Sequence, residues 1–169
     1  VHWFELRDSG SGFAMNQQGV YAPDTDNRWM GSLAMDSSGN IALGYSVSSA
    51  ATYPSIRYTG RLAADPTGTL PQGEATMIAG TGSQTGTAYR WGDYSAMSVD
   101  PEDGCTFWYT QEYYAVTSSV GWQTRIGSFK FPSCTSEPTG TLSGTVTDTG
   151  AAPIEGVTVE ATGGYTTST

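Results

Sequence analysis

Apolar and polar positions alternate along most of this chain in short runs. Ser32-Leu33-Ala34-Met35-Asp36 alternates into the turn-forming Ser37-Ser38-Gly39-Asn40, and Ile41 to Val47 returns from it. Ser55 to Leu62 sets Ile56, Tyr58 and Gly60 against Arg57, Thr59 and Arg61, the period of two that sends alternate side chains to opposite faces of a strand. Glu74 to Ala79 reads as a further short strand. Stretches with helical spacing are cut by Gly or Pro within a few residues, and no Ser or Asp cap precedes a long amphipathic run, so no helix is predicted. The pattern predicts an all-β chain.

The same order of strands then recurs. Arg28-Trp29 returns 62 positions later as Arg90-Trp91, and Leu33-Ala34-Met35-Asp36 returns 64 positions later as Met97-Ser98-Val99-Asp100. Gly39 matches Gly104, and Leu43-Gly44-Tyr45 falls opposite Trp108-Tyr109-Thr110. The third strand, Ile56 to Leu62, is echoed by Thr124 to Lys130, and His2 to Arg7 takes the matching place one period earlier. A period of about 60 residues exceeds the roughly 40–50 of common propeller blades, and long loops account for the excess. Each period supplies a four-stranded meander too thin to bury both its faces, which must therefore stack on neighbours. The expected architecture over residues 1–134 is a series of four-stranded β-propeller blades; the alternative is a β-sandwich with accidental internal similarity.

Composition shifts after Cys134. All five tryptophans and all seven basic residues precede it, while eleven threonines crowd the 35 residues that follow. Thr135 to Gly140 has linker chemistry, polar and Pro-containing, which places a domain boundary there. Charged residues are only 14% of the chain and the net charge is −9. Seven scattered cations cannot form the basic stripe that phosphate backbones require, so nucleic acid is excluded as a partner, and anionic membrane surfaces are disfavoured. A neutral glycan, a peptide or a cation such as Ca²⁺ fits this balance. Cys105 and Cys134 are the only cysteines and His2 the only histidine, too few ligands for zinc. The pair points to a disulfide and an oxidising, extracellular compartment, the alternative being two buried thiols. No apolar run is long enough to span a membrane. The chain starts at Val1 without a signal-peptide pattern, so its start reads as processed or excised.

Ser98-Val99-Asp100-Pro101-Glu102-Asp103-Gly104-Cys105-Thr106-Phe107-Trp108 resembles a loosened Asp-box, the Ser-x-Asp-x-Gly-x-x-Trp hairpin of sialidase-like propellers (bacterial neuraminidase repeats), with two extra residues between Asp100 and Gly104. Met35 to Ile41 is similar, with Met in place of Ser. The resemblance covers about residues 1–134 and implies a propeller whose Asp caps a hairpin, a folding device with no catalytic part. Arg90 to Tyr113 also resembles large secreted bacterial proteins. Beyond the linker, Gly140 to Asp148 leads through Ala152-Pro153-Ile154-Glu155-Gly156 into Val157 to Thr162. That is similar to the opening hairpin of carboxypeptidase-regulatory-like domains, small Ig-like or transthyretin-like sandwiches, so residues 141–169 are expected to begin one. Two strands alone are marginal in water, and two and a fraction blades cannot close a ring of four to eight. The expectation is a piece of a longer protein, or one that further blades or chains complete.

Candidate chemistry gathers at Arg90-Trp91-Gly92-Asp93-Tyr94-Ser95, just before an inner strand. Sialidases use a Tyr nucleophile beside a carboxylate and bind the substrate carboxylate with an arginine triad. The resemblance would make Tyr94 the nucleophile, Glu112 its partner, and Arg90 and Arg125 the available cations. An architectural reading instead stacks Arg28 and Arg90 on their tryptophans. For ligand binding the candidates are Trp91, Asp93 and Tyr94 of that stretch, with Tyr113 and Trp122 from an aromatic cluster that also holds Trp108, Tyr109 and Tyr114. Asp24, Asp26 and Asn27 present three oxygen side chains in a loop, a candidate structural Ca²⁺ site or a solvated Asx-turn; no other cofactor is expected. Two function classes follow: a secreted or cell-surface scaffold binding glycan or protein, or the C-terminal part of a sialidase-like glycoside hydrolase. A structural subunit of an extracellular assembly, joined through unpaired strand edges, is a third reading.

Overall fold

A computed structural model describes residues 1–87, 89–135, 144–161 and 165–168. The chain divides into two compact units, Val1–Ser136 and Glu137–Thr169. The described residues are all-β, without a helix. Most of the expected linker and the residues 141–143 that would open the C-terminal domain lie outside the described residues.

Three antiparallel sheets make up the N-terminal unit. β1 (His2–Asp8) pairs with β2 (Phe13–Val20). β3 (Asn27–Met35), β4 (Ile41–Ser48), β5 (Ser55–Arg61) and β6 (Ala75–Ile78) form a four-stranded meander in chain order. β7 (Ala96–Val99), β8 (Phe107–Tyr113) and β9 (Gln123–Phe129) form a three-stranded one. The sheets pack in series. One face of β4, with Ile41, Leu43, Tyr45 and Val47, closes over Trp3 and Leu70. The other side of that sheet, with Ala42 and Ile56, closes over Met97, Phe107 and Tyr109. Across this second junction β3 lies against β7, and β4 and β5 lie against β8.

Burial on both faces explains the composition of β4, where large and small residues alternate. Gly44 faces Tyr109, and a Cβ at Gly44 would stand 2.5 Å from the Tyr109 ring. Overpacking at such a junction costs roughly 1–3 kcal/mol. Gly44→Ala is therefore expected to lower the urea-unfolding free energy by about that amount, while Gly73→Ala (a turn with open space around it) leaves the sheet junction untouched. Equal hydrogen-exchange protection of β8 in Gly44→Ala and wild type would contradict this packing. On β5 Thr59 and Arg61 are buried and bonded to the connection that follows the strand, Thr59 Oγ1 donating to Gly73 O and Arg61 to the Ala63 and Asp65 carbonyls.

The hairpin tips carry the strand order. Asp36 Oδ1 accepts from the Ser38 and Asn40 amides, Asn40 Nδ2 donates to Asp36 Oδ2, and Gly39 takes a φ of 82°. In the longer second tip the work is divided. Asp100 accepts from the Glu102 amide and the Trp108 indole, whereas Asp103 accepts from the Cys105 and Thr106 amides. The two tips touch, the Ser37 amide donating to Gly104 O at 2.8 Å. Beside them Cys105 and Cys134 form a disulfide, Cα atoms 5.6 Å apart.

Register fixes which positions correspond. Leu33 faces Leu43 as Met97 faces Tyr109, and Leu43 faces Thr59 as Tyr109 faces Gly127. The offsets are thus 64, 66 and 68 along successive strands. Matching Leu43 to Trp108 is one residue out, and a one-residue slip exchanges the faces of a strand. The two residues inserted in the second tip cause it: Tyr109, not Trp108, is the buried counterpart of Leu43.

In the C-terminal unit, Asp148 Oδ1 accepts from the Gly150 and Ala152 amides and turns the chain, with Ile154 N donating to Val146 O. β10 (Thr158–Ala161) pairs antiparallel with β11 (Tyr165–Ser168).

Candidate functional site

The Arg90–Ser95 stretch is placed between the two larger sheets of the N-terminal unit. The Trp91 indole N–H donates to Ser46 Oγ at 3.0 Å, and its ring meets Trp29 edge-on at 5.5 Å and Tyr114 at 5.6 Å. Trp29 and Trp91, matched by sequence offset, thus lie in contact. Gly92, with a φ of 23°, lets the chain pass close over Glu112; a Cβ there would stand 3.1 Å from the Glu112 carboxyl carbon. Ser95 Oγ donates to Met30 O and the Met97 amide to Ser32 Oγ, stitching the start of β7 to β3.

Around this anchor lies an open cleft of about 410 Å³. Its walls include Trp29, Trp91 and Tyr89, with Thr52, Gln84 and Arg90 between them. Tyr89 is 90% exposed and has a φ of 49°, a left-handed backbone uncommon for a bulky residue that turns its ring out at the cleft edge. The lining is ring faces plus neutral donors and acceptors, with one guanidinium.

The residues proposed from sequence separate into groups. Arg90 pairs with Asp93 at the surface. Tyr94 projects into solvent, 91% exposed. Burial pushes the Glu112 carboxyl above its ordinary value, opposed by the Gly92 amide and helped by the nearby Asp93 charge. Tyr113 packs on the second core cluster, its hydroxyl donating to Gln123 at 2.8 Å. Trp122 is half-exposed just before β9, and Arg125 is exposed on that strand. The structure therefore brings Trp91 and Arg90 to the cleft, pairs Asp93 with Arg90, and sets Tyr113 into the packing.

The loop of Asp24, Asp26 and Asn27 is tied to the protein by its side chains. Both Asp24 carboxylate oxygens accept from Arg28, at 2.6 and 2.9 Å, and Oδ1 also accepts the Asp26 amide. Hydrogen bonds from Arg28 and from that amide hold the Asp24 carboxyl at about 2. Asp26 Oδ2 accepts from Thr52 Oγ1, and Asn27 donates to Ser48 O. Among the described residues no group of three or more His, Cys, Asp or Glu is gathered for a metal.

A second cluster went unread in the sequence. Glu74 accepts from Arg28 at 2.8 Å, Arg57 at 2.5 Å and the Tyr45 hydroxyl at 2.6 Å. The Arg28 guanidinium also lies over the Tyr21 and Tyr45 rings, 5.7 and 5.8 Å from their centroids; its aromatic partners are these tyrosines and not Trp29. Arg28 is 2% and Glu74 15% exposed at the side chain. Burial and then the Glu74 hydrogen bond push the Tyr45 phenol upward, the opposite of what a tyrosinate nucleophile needs. This network braces the core. Arg28, Arg57 and Arg90 do not converge on one open site: Arg28 and Arg57 meet on part-buried Glu74, Arg90 on surface Asp93.

Fold and site define a disulfide-linked, all-β module of sheets packed in series with an aromatic surface cleft. No protein-family model, curated protein or solved structure matches the chain.

Proposed function

We propose that this chain is a secreted or cell-surface scaffold of β-propeller type that binds neutral glycans in the cleft beside Trp91, with the C-terminal unit as the start of an Ig-like spacer. The packing of β3 on β7 and of β4 and β5 on β8 supports the blade reading. Two hairpin tips capped by Asp support the likeness to Asp-box repeats, and the disulfide supports an oxidising compartment.

One observation carries the binding reading: three aromatic rings border a shallow cleft whose other walls are hydroxyl and amide groups, Pro54 and the Arg90 guanidinium. A sugar ring offers C–H faces to aromatic planes and hydroxyls to neutral donors and acceptors. Such a ligand needs little charge, in keeping with a chain only 14% charged. Chemistry is not required of the site, and Tyr94, turned to solvent, is no part of it.

Titration of neutral oligosaccharides against the full chain, followed by tryptophan fluorescence, tests this. Binding is expected to perturb Trp29 and Trp91 emission. Tyr89→Ala, which removes an exposed ring, is expected to weaken binding by about tenfold, within the range of one aromatic contact, at unchanged melting temperature. Absence of any response across neutral glycans at millimolar concentration, or wild-type affinity in Tyr89→Ala, would overturn the reading.

A further inference from the structure

Within the N-terminal unit a sheet-on-sheet junction joins two different kinds of face. On the receiving side Ala42, Gly44 and Ser46 of β4 lie beside Ile56, Tyr58 and Gly60 of β5, small residues around a ring. On the seated side stand Met97, Phe107, Tyr109 and Phe129, and Tyr58 stacks on Phe129 with centroids 3.9 Å apart. The preceding junction follows the same rule. Ile41, Leu43, Tyr45 and Val47 are seated over Trp3, next to Gly19.

Within the described residues of the N-terminal unit, one face of each kind is left uncovered. On β1–β2 the strand period places Phe4 and Leu6 opposite the buried Trp3 and Glu5, and register sets Leu6 beside Met15 and Asp8 beside Phe13. Phe4, Leu6, Phe13, Met15 and Val20 are all exposed; they have the bulk of a seated face. On β7–β9 the side turned from the core carries Ser98, Thr110 and Ser128 around Trp108 and Ile126. Trp108 is held in place by its indole bond to Asp100. Small polar residues around two large ones repeat the receiving pattern of β4–β5.

We propose that these two surfaces are the halves of one interface, and that a second copy of this chain seats its β1–β2 face on the outer face of β7–β9. The contact continues the stack already present inside the unit and rests on the in-series reading of its sheets. It is heterologous, so each copy offers one half to each neighbour, and association need not stop at two.

Sedimentation velocity on the full chain between roughly 1 and 200 μM, the range of modest interfaces, is expected to show mass rising with concentration. Leu6→Arg and Ile126→Arg each place a charge in the contact on a side chain now 56% and 66% exposed, so folding is retained. Each alone is expected to weaken association more than about a hundredfold. Mixed one to one, they are expected to form a dimer and nothing larger, since one intact half remains on each. A wild type that stays monomeric overturns the proposal. So does an Ile126→Arg that still dimerises, which would mean β1–β2 faces meeting each other. Hydrogen exchange separates this from failure of the underlying reading. Slow β4 amides in a monomeric chain refute only the docking, whereas fast ones refute the stack itself.

Discussion

Glu74→Gln is expected to destabilise the N-terminal unit by about 3 kcal/mol at neutral pH, the low end for breaking a buried ion pair. Three donors converge on this carboxylate, and Gln offers one oxygen and an amide that itself donates. Arg28, almost fully enclosed, keeps only Asp24 as an anionic partner, and Asp24 is half in solvent. Partial burial alone would raise the Glu74 carboxyl, but hydrogen bonds from Arg28, Tyr45 and Arg57 outweigh it and hold it below its ordinary 4.5. A carboxyl depressed by folding stabilises fully above its unfolded value, and the contribution fades as pH falls through the folded one. The gap between wild type and Glu74→Gln should therefore be constant from pH 7 to about 5, then shrink as the solution is acidified. Asp103, held at about 2, adds acid sensitivity common to both proteins, which the difference removes, whereas Asp24, also held at about 2, shares Arg28 with Glu74 and is coupled to it. Urea midpoints across pH 2–7 provide the measurement; coincident wild-type and variant curves at pH 7 would rule out the network as a brace.

The second large effect belongs to the disulfide. Cys105 and Cys134 stand 29 positions apart, and closing a loop of that length restricts the unfolded chain by about 3–4 kcal/mol in the entropy model. Paired replacement by Ser should cost about this much, a fall in melting temperature on the order of 10 °C for a unit of this size. The bridge sits beside the touching hairpin tips, with Ser37 Oγ 3.7 Å from Cys134 Sγ, so reduction should first raise exchange at the Ser37 amide. Wild type in reductant and the double-Ser chain are expected to melt together. Identical melting of oxidised and reduced wild type would count against the bridge as a stabiliser.

Local pattern made much of the N-terminal unit legible. The strands around Leu33, Ile41 and Ile56 announced themselves by alternation and by Asp- and Gly-bearing turns, because a hairpin needs only neighbours in sequence. The cysteine pair was legible by elimination. The alignment of β8 was not, since an insertion at a turn displaces a whole strand without altering its own pattern. The Glu74 brace was also hidden. Arg28, Tyr45, Arg57 and Glu74 belong to β3, β4, β5 and the approach to β6, and only the folded sheet collects them. One clue was present: β4 is apolar or small throughout, which marks a strand covered on both sides, and an arginine on its neighbour must then be paired. At the cleft, Trp91 stood out in a stretch just before an inner strand, and it touches Trp29, its match in the repeat. Attention to Tyr94 instead of Tyr89 followed from a catalytic analogy, whereas the left-handed backbone that turns Tyr89 to the cleft is a property of conformation alone.

Mechanical load gives the placement of the bridge another meaning. Tension entering from the C-terminal unit reaches Cys134 first and passes through sulfur to Cys105, bypassing the 28 residues between them. β8 and β9 lie inside that bypass. A pulled chain can lengthen by unzipping β1–β7, yet about 100 Å of contour, at roughly 3.5 Å per residue, stays locked until the sulfurs are reduced. On a tethered or sheared surface, these two strands would be the last to yield.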